Sequence, residues 1–494
     1  MKRQRGRAGR AALAGIAAVC AVAALPGAAR AADEPGPYTF DSGAKPVTGT
    51  PVNTDGPSLA AGSTYKDGIE PGEKRYYRVD LDAETNAYVS AVAVPKPGTK
   101  VSYGDELEVS IENRSGSSCS DGEARFGSAE YARPIADYAS RRVDRSGSSG
   151  CKEAGPYYVL LERSSESDSS PDPWDVEIRF LTEPKLTTKG PAVAPEGWPS
   201  ASPAAPAGAA VERAGGSGFH DATGLTQGEW KDKIRPGRTL FYRVPVDWGQ
   251  QLFVSADLGS STVSGDGLGS VGNALAVALH NPARGLVDEK SSVYYDGKQK
   301  GLDLDPLPPV AYENRYASSS KEAAVRFAGW YYLSVTLSPE IADSFGDGPL
   351  PLTLRVNVKG EAKDGPPYAG DAGPFQVTGD DREAADTGRT VADEERGDTM
   401  ALVAAAGLGT GTVLLLGLGT WTLLARRRAA GPAGAAPLPA QAAGPGQDGY
   451  PAYGAPASGY GYPPPQGGAP QPGQGPGPGY GPGHGQGAYG PPGS

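Results

Sequence analysis

The chain has 494 residues, of which 72 are glycine and 47 proline, about a quarter of the whole. The part able to bury a core must therefore be much shorter than the chain. A formal net charge of −11, with Lys and Arg clustered only beside two apolar segments, excludes a nucleic-acid binder, because phosphate contact needs a basic patch.

The first 31 residues carry a basic start (Lys2, Arg3, Arg5, Arg7, Arg10), an apolar run Ala11–Leu25 and the small-residue site Ala29-Arg30-Ala31. This pattern predicts a secretory signal peptide over 1–31, cleaved near Ala31 or Ala32, with a retained membrane anchor as the alternative. Val19 before Cys20 is bulkier than a lipoprotein signal carries, which argues against lipidation.

Two long segments then repeat at an offset of 165 residues. "KDGIEPGEKRYYRVDLDAETNAYVSA" (Lys66–Ala91) aligns without a gap on "KDKIRPGRTLFYRVPVDWGQQLFVSA" (Lys231–Ala256), and 12 of 27 aligned pairs from Tyr65 and Trp230 onward are identical. "AGPYYVLLER" (Ala154–Arg163) likewise answers "AGWYYLSVTL" (Ala328–Leu337). A period this long fits a whole domain and not a solenoid unit, so the chain is expected to hold two copies of one module, at 38–183 and 218–360.

Inside each copy Tyr77, Val79 and Leu81, and then Tyr242, Val244 and Val246, alternate with other residues, as a half-buried strand requires. Ala87, Val89, Ala91 and Ala93, and Leu252, Val254, Ala256 and Leu258, continue the pattern, and Pro71-Gly72 and Pro236-Gly237 supply turns before it. The expected fold class is all-β: two tandem antiparallel β-sandwiches of jelly-roll type, with insertions at Ser115–Gly150 and Gly259–Gly272.

After the signal two cysteines remain, Cys119 and Cys151, read as one disulfide in an exported protein, with two free thiols as the alternative. Closing a loop of about 33 residues stabilises by roughly 3–4 kcal/mol on the chain-entropy argument.

Residues 184–217, rich in Pro, Ala and Gly, are expected to form a semi-extended linker, and 361–399 an acidic spacer with a reach on the order of 35 Å as a flexible coil. Ala401–Ala425 carries no charge and is followed by Arg426, Arg427 and Arg428. As a helix of about 37 Å it predicts a single transmembrane span, with the arginines holding the cytoplasmic side, and a buried core helix lacks partners. Gly407 and Gly411 share one face of that helix and are candidates for helix pairing. The tail 426–494, with tyrosines spaced by Gly, Pro and Gln, is expected to be disordered. It is either inert, or a site of weak self-association or of docking by a proline-binding partner.

The elements Ile69, Pro71, Gly72, Tyr76, Tyr77 with Gly155, Tyr157, Tyr158, and Ile234, Pro236, Gly237, Phe241, Tyr242 with Gly329, Tyr331, Tyr332, resemble the bacterial pre-peptidase C-terminal domain. That resemblance implies a small jelly-roll-like sandwich that assists another domain's work, yet no peptidase is attached here. "YRVPVDWGQQL" (Tyr242–Leu252) is also similar to segments of actinobacterial surface proteins.

Catalytic chemistry finds little support. The chain has no G-x-S-x-G elbow, and His220 and His280 lack motif neighbours, so both are read as turn or packing residues. "GLGSVG" (Gly267–Gly272) lies in a Gly/Ser loop and not between a strand and a helix, which argues against a dinucleotide site. Asp80, Asp82, Asp296, Asp303 and Asp305 match no calcium loop and read as solvated turns, and Trp174, Trp230, Trp248 and Trp330 read as core in preference to sugar platforms.

The expected protein is thus a non-enzymatic, single-pass plasma-membrane protein without cofactor, metal or nucleic-acid partner. Its exterior modules would bind an extracellular protein or a cell-wall component. The alternative is an accessory or adaptor subunit of a secretion or sensing complex, acting through the cytoplasmic tail.

Overall fold

In a computed structural model, the described residues are 38–144, 147–264 and 268–429, without the side chains of 398–412, 428 and 429. The expected signal peptide and the tail beyond 429 lie outside them.

Module 1 comprises β1 (Lys45–Pro46), β2 (Ser63–Ile69), β3 (Lys74–Leu81), β4 (Asn86–Val94), β5 (Glu106–Glu112), β6 (Ser118–Arg125), β7 (Ile135–Arg141), β8 (Gly155–Ser164) and β9 (Trp174–Glu183). Module 2 comprises β10 (Val211–Glu212), β11 (Thr223–Gly224), β12 (Gly228–Ile234), β13 (Thr239–Val246), β14 (Gln251–Leu258), β15 (Leu275–His280), β16 (Leu286–Lys290), β17 (Lys300–Asp303), β18 (Gly329–Leu337) and β19 (Leu350–Lys359). Short helices α1 (Ser320–Ala324) and α2 (Ile341–Phe345) interrupt module 2, and α3 (Gly379–Thr387) and α4 (Val391–Ala429) follow it.

The sheets of module 1 run β1-β2-β9-β4-β7 and β3-β8-β5-β6, and those of module 2 run β10-β12-β19-β14-β17 and β11-β13-β18-β15-β16. The eight principal strands of the two copies agree in order, and module 2 adds β11. The order is that of an eight-stranded jelly roll with a short strand added at the edges. Those added strands depart from the expected antiparallel pattern: β1 on β2, β10 on β12 and β11 on β13 are parallel pairs.

Each module has its own core. Tyr77, Val79, Val89, Ile111, Val159 and Trp174 belong to the first, and Trp230, Tyr242, Val244, Val254, Leu333 and Leu354 to the second. The repeated "KD" and "Y" now have a physical reason. The Tyr77 hydroxyl donates to Asp67 Oδ2 at 2.7 Å, which also accepts from Gly49 N at 2.7 Å. In module 2 Tyr242 donates to Asp232 Oδ2 at 2.6 Å, which accepts from Gly215 N at 2.8 Å. A buried phenol needs an acceptor, and this one ties the edge segment to the sheet. Only glycine fits beside the ring: a Cβ on Gly49 or Gly215 would meet it at 2.8 or 2.7 Å. The duplicated Pro-Gly turns place Gly72 and Gly237 at φ 73°, a left-handed value that favours glycine.

Four expectations change. The stretch Ser115–Gly150, read as an insertion, supplies the sheet strands β6 and β7, and Cys119 within β6 is joined to Cys151 after β7 by a disulfide, Cα–Cα 5.7 Å. The linker 184–217 is pinned at both ends, by the Leu186–Tyr368 bridge and by β10. The spacer 361–399 is not a free coil, because it forms α3 and the first turns of α4. Thr378 with Asp381, and Thr390 with Asp393, are reciprocal capping boxes, and Gly388 at φ 77° ends α3. Arg426, Arg427 and Arg428 lie in α4, not in the tail. Among the described residues no helix is long and apolar enough to cross a membrane. Part of the expected span, with the pairing candidates Gly407 and Gly411, falls where side chains are not described.

Tyr77→Phe and Tyr242→Phe are each expected to destabilise by about 1.5–3 kcal/mol, the range for a hydrogen bond to a charged group. The two effects should add, since the cores are separate. Urea unfolding of both single variants and the double variant checks this.

Candidate functional site

The outer face of β9, β4 and β7 packs on the outer face of β13, β18 and β15. Residues of β4 that point away from its own core, Tyr88 and Val92, are fully buried there. Tyr88 meets Phe327 edge-on at 5.0 Å and Phe375 at 5.7 Å, while Val92 and Ala136 pack with Phe219, Phe241 and Tyr332. The modules are therefore joined by a core of their own.

Two buried carboxylates inside this junction are matched by arginines of module 2. Glu183, at the end of β9, is fully buried and accepts from Asn86 Nδ2 (2.8 Å), Tyr88 OH (2.8 Å), Tyr368 OH (2.7 Å) and both Arg315 Nη atoms (3.2 and 2.7 Å). Burial pushes its pKa up, but the Arg315 charge and these donors outweigh that and hold it below the usual range. Glu177, also in β9, pairs with Arg284 and accepts from Asp41 N at 2.9 Å. Arg284 sits at φ 64°, in a turn held by Asn281 Oδ1, which accepts from Ala283 N and Gly285 N at 3.0 Å. A non-glycine left-handed residue marks backbone strain, and here it aims the guanidinium across the junction.

A second contact fixes the start of α4. Arg243, in β13, is buried, lies over the Trp330 ring at 4.0 Å and donates to Arg389 O (2.9 Å) and Glu394 Oε1 (2.8 Å). Ala392 N donates to His220 O at 3.2 Å. Beside this lies a cluster from three distant segments. Asp41, His220 and Glu395 have ligand-type atoms within 4.8 Å of one another, and Ser42 Oγ lies 3.4 Å from His220 Nε2. Ser42, His220 and Asp41 stand in the order of a serine-hydrolase triad, but the Glu395 carboxylate lies 3.5 Å from both Ser42 Oγ and His220 Nε2. Negative charge there opposes the oxyanion that acyl transfer would develop.

The jelly-roll face that module 2 spends on the junction is left open in module 1. Its rows read Lys74–Glu162–Glu108–Glu123, then Tyr76–Leu160–Ser110–Asp121. Glu108 thus has a glutamate directly across on both sides, which destabilises a sheet. Burial first, then the charges of Asp121, Glu162, Glu106 and Glu123, raise its pKa; Glu112 is raised mainly by burial. Lys74 and Arg125 offset part of the charge, through Glu162 at 2.8 Å and Glu123 at 2.6 Å.

Other singled-out residues take structural places. His280 is buried edge-on to Phe219 at 5.3 Å. Asp82 caps the turn to Thr85, Asp80 pairs with Arg78, Asp296 with Lys300, and Asp305 with Lys321 at 2.6 Å, while Asp303 lies exposed in β17. Trp174, Trp230 and Trp248 lie in the cores, and Trp330 Nε1 donates to Asp381 at 2.7 Å. Gly267 of the Gly/Ser loop lies outside the described residues.

No family model matches the chain, and no curated protein does. Solved structures match only distantly. The human MASP-1/3 CUB1-EGF-CUB2 domain is 8% identical, over 59% of this chain and 99% of its own, with a TM-score of 0.15. The ANX1 ectodomain of Arabidopsis thaliana is 8% identical over 61% and 85%, TM-score 0.17. The tandem CBM22-1-CBM22-2 domain of Xyn10C from Paenibacillus barcinonensis is 10% identical over 61% and 93%, TM-score 0.15. At such scores none carries an argument about this chain.

Two buried groups set opposing pH dependences at the junction. Burial raises Asp137, whose Oδ1 accepts from Leu286 N of module 2 at 3.0 Å, to about 6. Its contribution is full below the unfolded carboxylate value and is lost as pH rises through about 6. Burial lowers His280 to about 4, so its contribution is present above the ordinary imidazole value and lost as pH falls through about 4. Between about pH 6.5 and pH 4.5 the two oppose each other. Asp137→Asn is expected to lose more stability than wild type over that interval, and His280→Gln less, as read from urea midpoints. Arg315→Met, which strands buried Glu183, should cost about 3–5 kcal/mol.

Proposed function

We propose that this is a non-enzymatic, surface-anchored binding protein whose ligand docks on the open face of β3-β8-β5-β6 and carries positive charge. The observation that carries the reading is the row Glu162–Glu108–Glu123. Three carboxylates stand side by side on a solvent-facing sheet, and the central Glu108 has a glutamate across on both sides and no ion pair of its own among the described residues. The partly buried Tyr76, Tyr158 and Leu160 beside them offer the apolar contact that complements such charge. An extracellular protein with a basic segment, or a wall component bearing amines, has the matching chemistry.

The anchor in this reading is the uncharged run Ala401–Ala425 with the three arginines after it, which would leave the modules outside the plasma membrane. The pattern resembling pre-peptidase C-terminal modules fits an assisting role. The docking of α4 on module 2 through Arg243 favours a second reading, an adaptor in which ligand contact is passed along that helix.

A lysine-rich peptide serves as the minimal probe for full-length protein in detergent. Binding is expected to weaken with salt, and the Glu108→Gln, Glu123→Gln double variant to bind about tenfold less tightly. Glu108→Gln alone should leave stability unchanged or raise it by up to about 0.5 kcal/mol. Equal binding by wild type and double variant would sink the proposal. Partners captured equally by the whole chain and by one ending at Arg428 would favour the exterior face over the adaptor.

A further inference from the structure

We infer that Asp41, Ser42, His220 and Glu395 form a zinc site that staples the first turn of α4 to the module pair. The inference does not depend on what binds the open sheet face.

The geometry comes first. His220 Nε2, Ser42 Oγ and Glu395 Oε2 form a nearly equilateral triangle, with edges of 3.4, 3.5 and 3.5 Å. Well-made hydrogen bonds between such atoms are shorter, at about 2.7–3.0 Å. A tetrahedral zinc ion with bonds of about 2.0–2.1 Å sets its ligand atoms about 3.3–3.4 Å apart. The side chains therefore stand at the spacing of a coordination tetrahedron, at the long end of hydrogen-bond distance.

The second observation is the state of the imidazole. His220 is only 4% exposed, and its ring nitrogens have no partner nearer than 3.4 Å among the described residues. Contacts of that length are weak, and a cation at Nε2 would be a stronger partner for the buried ring. Asp41 Oδ1 lies 3.7 Å from Nδ1, on the far side of the ring. That is the side from which a carboxylate orients a metal-bound histidine and fixes its tautomer. Asp41 is itself held in place, accepting from Gly43 N at 2.7 Å.

The donor set points to the ion. One imidazole nitrogen with carboxylate oxygen suits zinc, whereas calcium takes oxygen ligands alone. His220 Nε2 and Glu395 Oε2 would be the principal ligands, with Ser42 Oγ and water completing the shell. Glu395 lies on the exposed side of α4, half open to solvent, so an ion has an entry path. The backbone bond from Ala392 N to His220 O already brings helix and loop together. Little rearrangement is needed to bind.

The test uses the full-length protein in detergent, stripped with EDTA and titrated with zinc against a chromophoric chelator, with bound metal counted by mass spectrometry. One zinc per chain is expected. His220→Gln and Glu395→Gln should each weaken binding more than tenfold, and Asp41→Asn about tenfold, as loss of an orienting partner does. His280→Gln, elsewhere in module 2, should bind as wild type does. Zinc should also raise the melting temperature of wild type and not that of Glu395→Gln. Glu395 is exposed enough that its variant folds even if His220→Gln does not. Zinc affinity unchanged in Glu395→Gln, or no zinc bound by wild type, would overturn the inference.

Discussion

The structure depends on two carboxylates that cannot stay where they are without the other module. Glu177 and Glu183 lie on the outer face of β9, both fully buried, and their counter-charges Arg284 and Arg315 belong to module 2. A buried carboxylate without a partner costs several kcal/mol, so module 1 alone would have to expose or protonate both. The arrangement makes the pair of sandwiches one cooperative body. It also accounts for the strained turn at Arg284, since the strain is offset by an ion pair formed in low dielectric.

Duplication supplied two equal folds, and divergence of their outer faces made them unequal. Module 1 offers Tyr88, Val92 and the two glutamates from one sheet, and module 2 answers with Phe241, Tyr332 and the arginines from the other. Such a contact is heterologous and would propagate if the remaining faces matched. They do not. The corresponding sheet of module 2 carries Arg355 bound to Asp257 at 2.5 Å and to Glu229 at 3.3 Å, and the free sheet of module 1 carries a row of glutamates. Charge on both outer faces disfavours continuing the series. The glutamate row is the feature that neither core nor junction requires, which is why the binding role is placed on it.

The segment after module 2 is part of the same body as far as the start of α4. Tyr368 reaches Glu183, Phe375 stacks on Phe327 at 4.5 Å, and Arg243 holds Arg389 and Glu394. The distance between sandwiches and helix is thus set by packing and not by chain entropy. A ligand that shifts the junction would act on residues already in contact with α4.

The all-β class, the two modules and the disulfide were legible in the sequence, because each rests on local or compositional signals. Period-two alternation, Pro-Gly turns and an offset repeat survive without knowledge of contacts, and two cysteines outside the first 31 residues have one simple pairing. The two capping boxes at Thr378 and Thr390 were equally local and could have revealed α3 and α4 within the supposed spacer. Other features had no local signal. The junction needs Tyr88 and Val92 to face outward from a strand whose inward residues look the same, so only the partner sheet shows that both faces are covered. Glu183 with Arg315, and Asp41 with His220 and Glu395, are brought together from positions far apart in the chain. Their chemistry arises from low dielectric and fixed distance, which tertiary packing alone creates.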